Sequence, residues 1–280
     1  MRKIFSGLLA MLLMLSICSC TGTGGGGGGG SSNTGSESKV SGPLNLIEEG
    51  KLKIGIEIDY PPMEFFEDDG STPTGFDVDM AKALAEILGL EPEFFDTSFD
   101  GIFQGLDTYK YDIVISCVTI TADRAREMEF TRAYVNNWQA LAVKAGTPHI
   151  TGIDEMEGLN IAVQASTTSE IFIDELISTG RVSCTVHPYE KVTQVFDDLK
   201  NGRVDGALVD SIVAADYAMQ DPGMYEISWT QSEDNDAVVE EIGIAIRKGN
   251  TELVNALNDA INEIEASGVL GSIKASYSIF

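Results

Sequence analysis

The sequence predicts an α/β protein built as two adjacent units, each a mainly parallel sheet flanked by helices. Three observations carry this reading. Beyond residue 50, short runs of β-branched residues alternate with apolar stripes of helical period. The resulting β-α-β order occurs twice in succession. About 240 residues follow the N-terminal segment, enough for two compact lobes.

The first unit opens at Lys51 to Ile58, whose alternation and β-branched residues read as a strand. A Pro61-Pro62 turn and an Asp- and Gly-rich loop follow. Gly75 to Leu88 is then expected as a helix, because Met80, Leu84 and Leu88 recur at i, i+4, i+8, with Phe76 and Ile87 widening the stripe. Glu93 to Phe95 reads as a strand, Asp100 to Leu106 as a short helix and Asp112 to Ser116 as a buried strand.

The second unit repeats the order. Ala140 to Lys144 and Asn160 to Gln164 are expected strands, and Thr167-Thr168-Ser169-Glu170 has the form of a capping box opening a helix. Arg181 to Val186 is an expected strand. Val192 to Asn201 is an expected helix with Val192, Val195, Phe196 and Leu199 on one face. Val204 to Val209 is a strand ending at Asp210, where another helix begins. Ile242 to Ile246 (a strand), Asn250 to Ala266 (a long helix) and a short final helix close the chain. Two such units leave a crevice where strand C-termini and helix N-termini converge, the natural place for a ligand.

The first 43 residues stand apart. Arg2 and Lys3 precede a run of ~14 apolar residues, too short for an ordinary membrane span and suited to a signal segment. The run ends in Ile17-Cys18-Ser19-Cys20, which resembles a bacterial lipoprotein signal with Ile17 three before, and Ser19 just before, a lipidated Cys20. Residues 1–19 are thus expected as the signal and 20–43, with the glycine run Gly24 to Gly30, as a flexible tether. The expected location is extracytoplasmic, with the lipid on the cell membrane or the periplasmic face of an outer membrane.

Charge excludes one class of partner. Acidic residues number 44 against 18 basic, a net −26. Nucleic-acid binding needs clustered Lys and Arg, and is not expected. Four cysteines and two isolated histidines, His149 and His187, give neither a disulfide framework nor a zinc site, and no cofactor is expected.

Polar residues cluster at the expected element ends in three places. These are Glu57-Ile58-Asp59-Tyr60-Pro61-Pro62-Met63-Glu64-Phe65 with Gly75-Phe76-Asp77-Val78-Asp79; Asp112-Ile113-Val114-Ile115-Ser116-Cys117-Val118-Thr119-Ile120-Thr121-Ala122-Asp123-Arg124, running on to Phe130-Thr131; and Ser166-Thr167-Thr168 with Gly202 to Asp210. In their order and spacing from about Leu44 to Phe280 they resemble the polar amino acid-binding proteins of ABC importers, solute-binding family 3. The closing Gly243-Ile244-Ala245-Ile246-Arg247-Lys248-Gly249 resembles the family as well.

The resemblance implies a type II periplasmic-binding-protein fold. Lobe 1 would comprise residues 44–134 and 242–280 and lobe 2 residues 139–238, with hinge crossings near 134–138 and 238–242. It implies that Arg124 holds a ligand carboxylate, since a guanidinium fork forms two parallel hydrogen bonds to it. Thr119 and Thr168 would add donors, and Asp210 and the Cys117 carbonyl would hold the α-ammonium. Tyr60 and Phe99 would wall the ligand side chain, and Glu57 would reach its far end, with Gln164 and Asn136 adding hydrogen bonds. Cys117 departs from the usual Gly or Ser. The ligand so implied is a basic amino acid, with glutamine or histidine next, and the partners are ABC permease subunits, with the chain a monomer.

Ordinary alternatives stand beside these roles. Arg124 could pair with Asp123 or Glu127 at the surface, and Asp210 could cap the helix that follows it. Two other functions compete: an enzyme on the same scaffold, of the cyclohexadienyl dehydratase kind with Glu57 as its acid or base, and a ligand-sensing module. No Ser-His-Asp or Cys-His set favours the enzyme.

Overall fold

The computed structural model describes residues 42–231 and 239–279. The expected signal, Cys20 and all but the end of the tether lie outside the described residues, as does Val238 of the second expected crossing.

Strand β1 (Lys51–Ile56) leads through a small hairpin, β2 (Phe65–Phe66) and β3 (Pro73–Thr74), into helix α1 (Phe76–Leu88). Then come β4 (Glu91–Asp96), the short α2 (Gln104–Asp107), β5 (Ile113–Val114), α3 (Ala122–Glu127) and β6 (Glu129–Phe130). After β7 (Val135–Asn137) a second series begins with β8 (Gln139–Lys144), β9 (Asn160–Gln164), α4 (Thr168–Ser178) and β10 (Thr185–Tyr189). It continues through α5 (Val192–Lys200), β11 (Gly206–Asp210), α6 (Ser211–Gln220) and β12 (Tyr225–Thr230). The chain then passes through β13 (Glu240–Ile242) to β14 (Ala245–Ile246), α7 (Thr251–Ala266) and α8 (Val269–Ser276).

Two five-stranded sheets form among the described residues, in the orders β4-β1-β5-β14-β6 and β10-β9-β11-β8-β12. In each, four strands run one way and one runs against them: β14 in the first and β8 in the second. Both reversed strands come directly after a passage between the sheets. The passages pair with each other, β7 antiparallel to β13, with Asn137 opposite Glu240 and Val135 opposite Ile242. This is the two-lobe fold that the sequence leads one to expect.

Burial explains the elements. In β1, Leu52, Ile54 and Ile56 are fully buried, and Gly55 lies so close under the Tyr111 ring that a Cβ would meet it at 2.5 Å. Met80, Leu84 and Phe76 of α1 are fully buried, whereas Ile87, expected on that stripe, is 37% exposed. Its angular position puts it on the outer edge of the helix. The face expected on α5 is buried throughout, and Phe196 stacks on Tyr217 with ring centroids 3.5 Å apart.

Some boundaries differ from expectation. The strand expected at Arg181 to Val186 forms at Thr185–Tyr189 instead, and so contains Pro188. Pro188 is tolerated because β10 is the edge strand of its sheet. The strand expected at Ile242 to Ile246 is divided at Gly243, where the chain changes partner from β7 to β5 and β6. A Cβ on Gly243 would meet the tip of the Ile120 side chain at 2.7 Å, so that side chain would have to shift to admit a larger residue. β12, which sequence periodicity did not reveal, extends the second sheet beside β8.

Candidate functional site

Glu57, Tyr60, Phe99, Cys117, Thr119, Arg124, Gln164, Thr168 and Asp210 all line one narrow cavity of about 10 Å³. The first six come from segments around the first sheet and the last three from the second. Glu64, Ser116 and Thr167 complete the lining. Asn136 does not join them: it is exposed, and its neighbour Asn137 points inward and is fully buried. Successive side chains of a strand face opposite sides, so the expectation was off by one residue in β7.

Arg124 sits in α3, whose N-cap Thr121 accepts a hydrogen bond from the Arg124 N–H at 3.1 Å. Its guanidinium lies over the rings of Phe99 and Phe103, 5.4 and 5.2 Å from their centroids. It donates to the Thr119 carbonyl at 2.9 Å and to the Ser166 carbonyl at 3.4 Å. Among the described residues no carboxylate oxygen lies within 4.0 Å of it; Asp123 pairs with Arg126 instead. Arg124 is therefore a cation held by aromatic faces and carbonyls, with no carboxylate of the described residues in direct contact.

Asp210 supplies the opposite charge. It occupies the N-cap position of α6, yet its side chain makes no capping bond. Its Oδ2 accepts from the Tyr60 hydroxyl at 2.7 Å and lies 3.5 Å from the Cys117 thiol; its Oδ1 accepts from Asn137 Nδ2 at 2.6 Å. Burial pushes its carboxyl up, and the hydrogen bonds from Tyr60, Cys117 and Asn137 pull the other way. Capping duty does not explain this residue.

Thr168 opens α4, and its hydroxyl lies 3.5 Å from that of Thr119. Of the expected capping box, the Thr167 side accepts from the Glu170 N–H, but the Glu170 carboxylate returns to the Ser166 N–H, at 2.7 Å, rather than to that of Thr167. Ser166 has φ of 63°, which turns its N–H into the carboxylate's reach.

At the other end of the cavity, Glu57 is 2% exposed. Its Oε2 accepts from Gln164 Nε2 at 2.6 Å, and its Oε1 has no protein partner. Burial pushes its carboxyl up to about 7, against the pull of Gln164. Gln164 also donates to the Glu190 carbonyl at 3.1 Å, which fixes which end of its amide faces Glu57.

Glu64, on the cavity lining, and Asp77 are both fully buried. Asp77 accepts from the Cys117 N–H at 2.6 Å and the Tyr134 hydroxyl at 2.7 Å, and Glu64 accepts from Ser116 Oγ at 2.6 Å. Burial raises both carboxyls, Asp77 to about 6 and Glu64 well above the usual range, where the negative Asp77 raises it further. This pair ties down Cys117, whose φ of 47° is in the left-handed region and strains a non-glycine residue by about 1–2 kcal/mol.

Sequence reading missed Asn137, Gln139 and Glu240, which surround Asp210 and Thr168. Asn137 and Gln139 share the inward parity of β7 and β8, but nothing local singled out Glu240.

Direct contacts close the cleft outside the cavity too. Thr193 Oγ1 donates to Asp59 at 2.8 Å and Ser166 Oγ to Asp100 at 2.6 Å, each joining the two lobes.

Known proteins are similar to most of this chain. The L-cystine-binding protein of Escherichia coli is 32% identical over 238 residues, 84% of this chain and 86% of that protein. The L-arginine-binding protein of Pseudomonas aeruginosa is 31% identical over 231 residues, 82% of this chain and 88% of its own. Among solved structures, an ancestral arginine-binding protein bound to arginine superposes with a TM-score of 0.75 at 34% identity, covering 81% of this chain and 98% of that one. An ancestral amino acid-binding protein described as a precursor of cyclohexadienyl dehydratase gives 0.74 at 33% identity, covering 81% and 95%. Residues 52–279 match the family of bacterial extracellular solute-binding proteins, family 3, and the chain belongs to that family.

Proposed function

We propose that this chain is the receptor of an amino acid ABC importer, capturing a free amino acid between its lobes and passing it to the permease. The observation that carries this is the pairing of Arg124 and Asp210 on one cavity. A guanidinium with no carboxylate of the described residues in direct contact and a carboxylate free of capping duty match the two charges of a zwitterion. In this reading Arg124 takes the α-carboxylate bidentately, with Thr119 and Thr168 adding donors. Asp210 and the Cys117 carbonyl take the α-ammonium.

Glu57, Tyr60 and Phe99 then surround the ligand side chain. A buried carboxylate with one unpaired oxygen favours a side chain that brings a donor or a positive charge. A basic amino acid is the first candidate, with glutamine and histidine next. The relatives named above for arginine agree with a basic ligand, and the one named for L-cystine adds a ligand whose second ammonium group would also suit Glu57. The paired strands β7 and β13 would serve as the hinge, within crossings near 134–138 and 238–242. A lipid on Cys20 would hold the receptor at the membrane.

A catalytic reading would rest on Glu57, whose raised carboxyl could transfer protons. The clamp alone accounts for capture, so transport is preferred. A thermal-shift screen over the common amino acids identifies the ligand, since ~100 Kd of it stabilises by ~2.7 kcal/mol. Arg124→Ala should then remove detectable binding in calorimetry while the fold persists, because breaking a buried charge pair costs ~2–5 kcal/mol. Unchanged affinity in a folded variant removes Arg124 from the site. Chemical conversion of the ligand during the titration would favour the enzyme.

A further inference from the structure

Glu240 lies outside the family-like clusters, on β13, yet it is hydrogen-bonded to residues at the edge of the site. Its Oε2 accepts from Asn137 Nδ2 at 3.1 Å and from Thr168 Oγ1 at 3.4 Å. Gln139 Nε2 lies 3.0 and 2.9 Å from its two oxygens. The same two amides serve Asp210, Asn137 at 2.6 Å and Gln139 at 3.4 Å, both to Oδ1.

Neither amide is free to turn away. Ser169 Oγ donates to Gln139 Oε1 at 2.5 Å, and Ser211 Oγ to Asn137 Oδ1 at 3.0 Å. Each is thus fixed with its NH2 toward the acids, and Asp210 and Glu240 form a carboxylate pair bridged by two oriented donors. Two like charges at such a site oppose each other, so the pair favours holding a proton. Burial and the charge of Asp210 push the Glu240 carboxyl up to about 7. Arg124 is the charged group that acts on both acids across the cavity. The groove on Glu240's far side is lined by Asp154, Glu155, Glu175 and Arg181.

We infer that Glu240 is a positioning residue for the ligand's ammonium group, holding Asp210 through the shared amides and yielding the pair's proton to solvent when the ammonium arrives. The inference rests on the amino acid reading above and deepens it. The balance is simple: a protonated acid pair plus an ammonium becomes two carboxylates, with the ammonium on Asp210, plus one released proton. Because Glu240 comes from the passage between lobes and touches Thr168 of the second, the same residue links ammonium capture to the paired strands.

Glu57 also titrates in this range, so it must be neutralised to isolate Glu240. Calorimetry with arginine or glutamine, whichever binds, is run on wild type, Glu57→Gln, Glu240→Gln and the double variant, in buffers of different ionisation heat. Glu57→Gln should still release protons near neutral pH and bind more tightly as pH rises from about 6 to about 8. The double variant should lose both the release and the pH slope, and bind about tenfold more weakly at the upper pH, since a neutral amide gives roughly half the interaction of a carboxylate. Equal proton release and parallel pH profiles with and without Glu240→Gln overturn the inference while leaving amino acid binding intact. Failure of wild type to bind any common amino acid overturns the functional reading itself.

Discussion

Glu57 decides how the far end of the cavity reads a side chain. Its Oε2 is satisfied by Gln164 and its Oε1 is not, inside a wall made by Tyr60 and Phe99. If a cationic side chain fills that place, Glu57→Gln should weaken arginine or lysine binding by one to two orders of magnitude. A charge-assisted hydrogen bond contributes ~1.5–3 kcal/mol and its neutral replacement about half. Glutamine should lose less, because its amide loses no charge partner. Equal losses for arginine and glutamine in calorimetry would sink the charge-pair idea. The same residue scale corrects the ordinary explanations of Arg124 and Asp210, since the first makes no surface ion pair and the second caps no helix.

Helix ends do two kinds of work in this fold. The N-terminus of α4 places Thr168 at the cleft, whereas that of α7 has no part in the site. Asn250 caps α7, accepting from the Leu253 N–H and donating through Nδ2 to the Leu44 carbonyl at 3.1 Å. It thereby ties the start of the first lobe to the helix whose Leu253, Leu257, Ile261 and Ile264 enter the core. Asn250→Ala should cost ~1–2 kcal/mol. For a unit of this size that lowers the melting temperature by about 2–8 °C, with ligand affinity unchanged. A stable variant with altered affinity would place α7 in the binding machinery, contrary to its position.

At the scale of the molecule, buried acids make stability depend on pH. Burial holds Glu57 and Glu240 at about 7 and Asp77 at about 6, all above their ordinary values. Between about pH 4.5 and 7 the folded chain therefore binds more protons than the unfolded one, and stability falls as pH rises through that range. Asp69, held down to about 2 by Thr72 and Ser71, acts only at much lower pH. The unliganded protein should melt at a lower temperature at about pH 8 than at about pH 5.5. Saturating amino acid should narrow the difference, because a bound cation favours the charged acids. A melting temperature that is flat or rises over this range would show that these carboxyls are not raised. Among the described residues no helix is long and apolar enough to cross a membrane.

The sequence by itself determined the doubled α/β order and the buried face of α5, and its resemblance to a family pointed to the nine residues that line the cavity. Periodicity and motif spacing are local properties, and both survive in one dimension. Only the tertiary structure decided what those residues do to each other: that Arg124 rests on aromatic rings and carbonyls, that Asp210 is released from capping, that Asn137 and not Asn136 turns inward. It alone brought Glu240 to Asp210, 30 residues away along the chain, through donors fixed by Ser169 and Ser211. A carboxylate's charge state and partners depend on burial and on neighbours distant in sequence, and those exist only once the two passages have brought the sheets together.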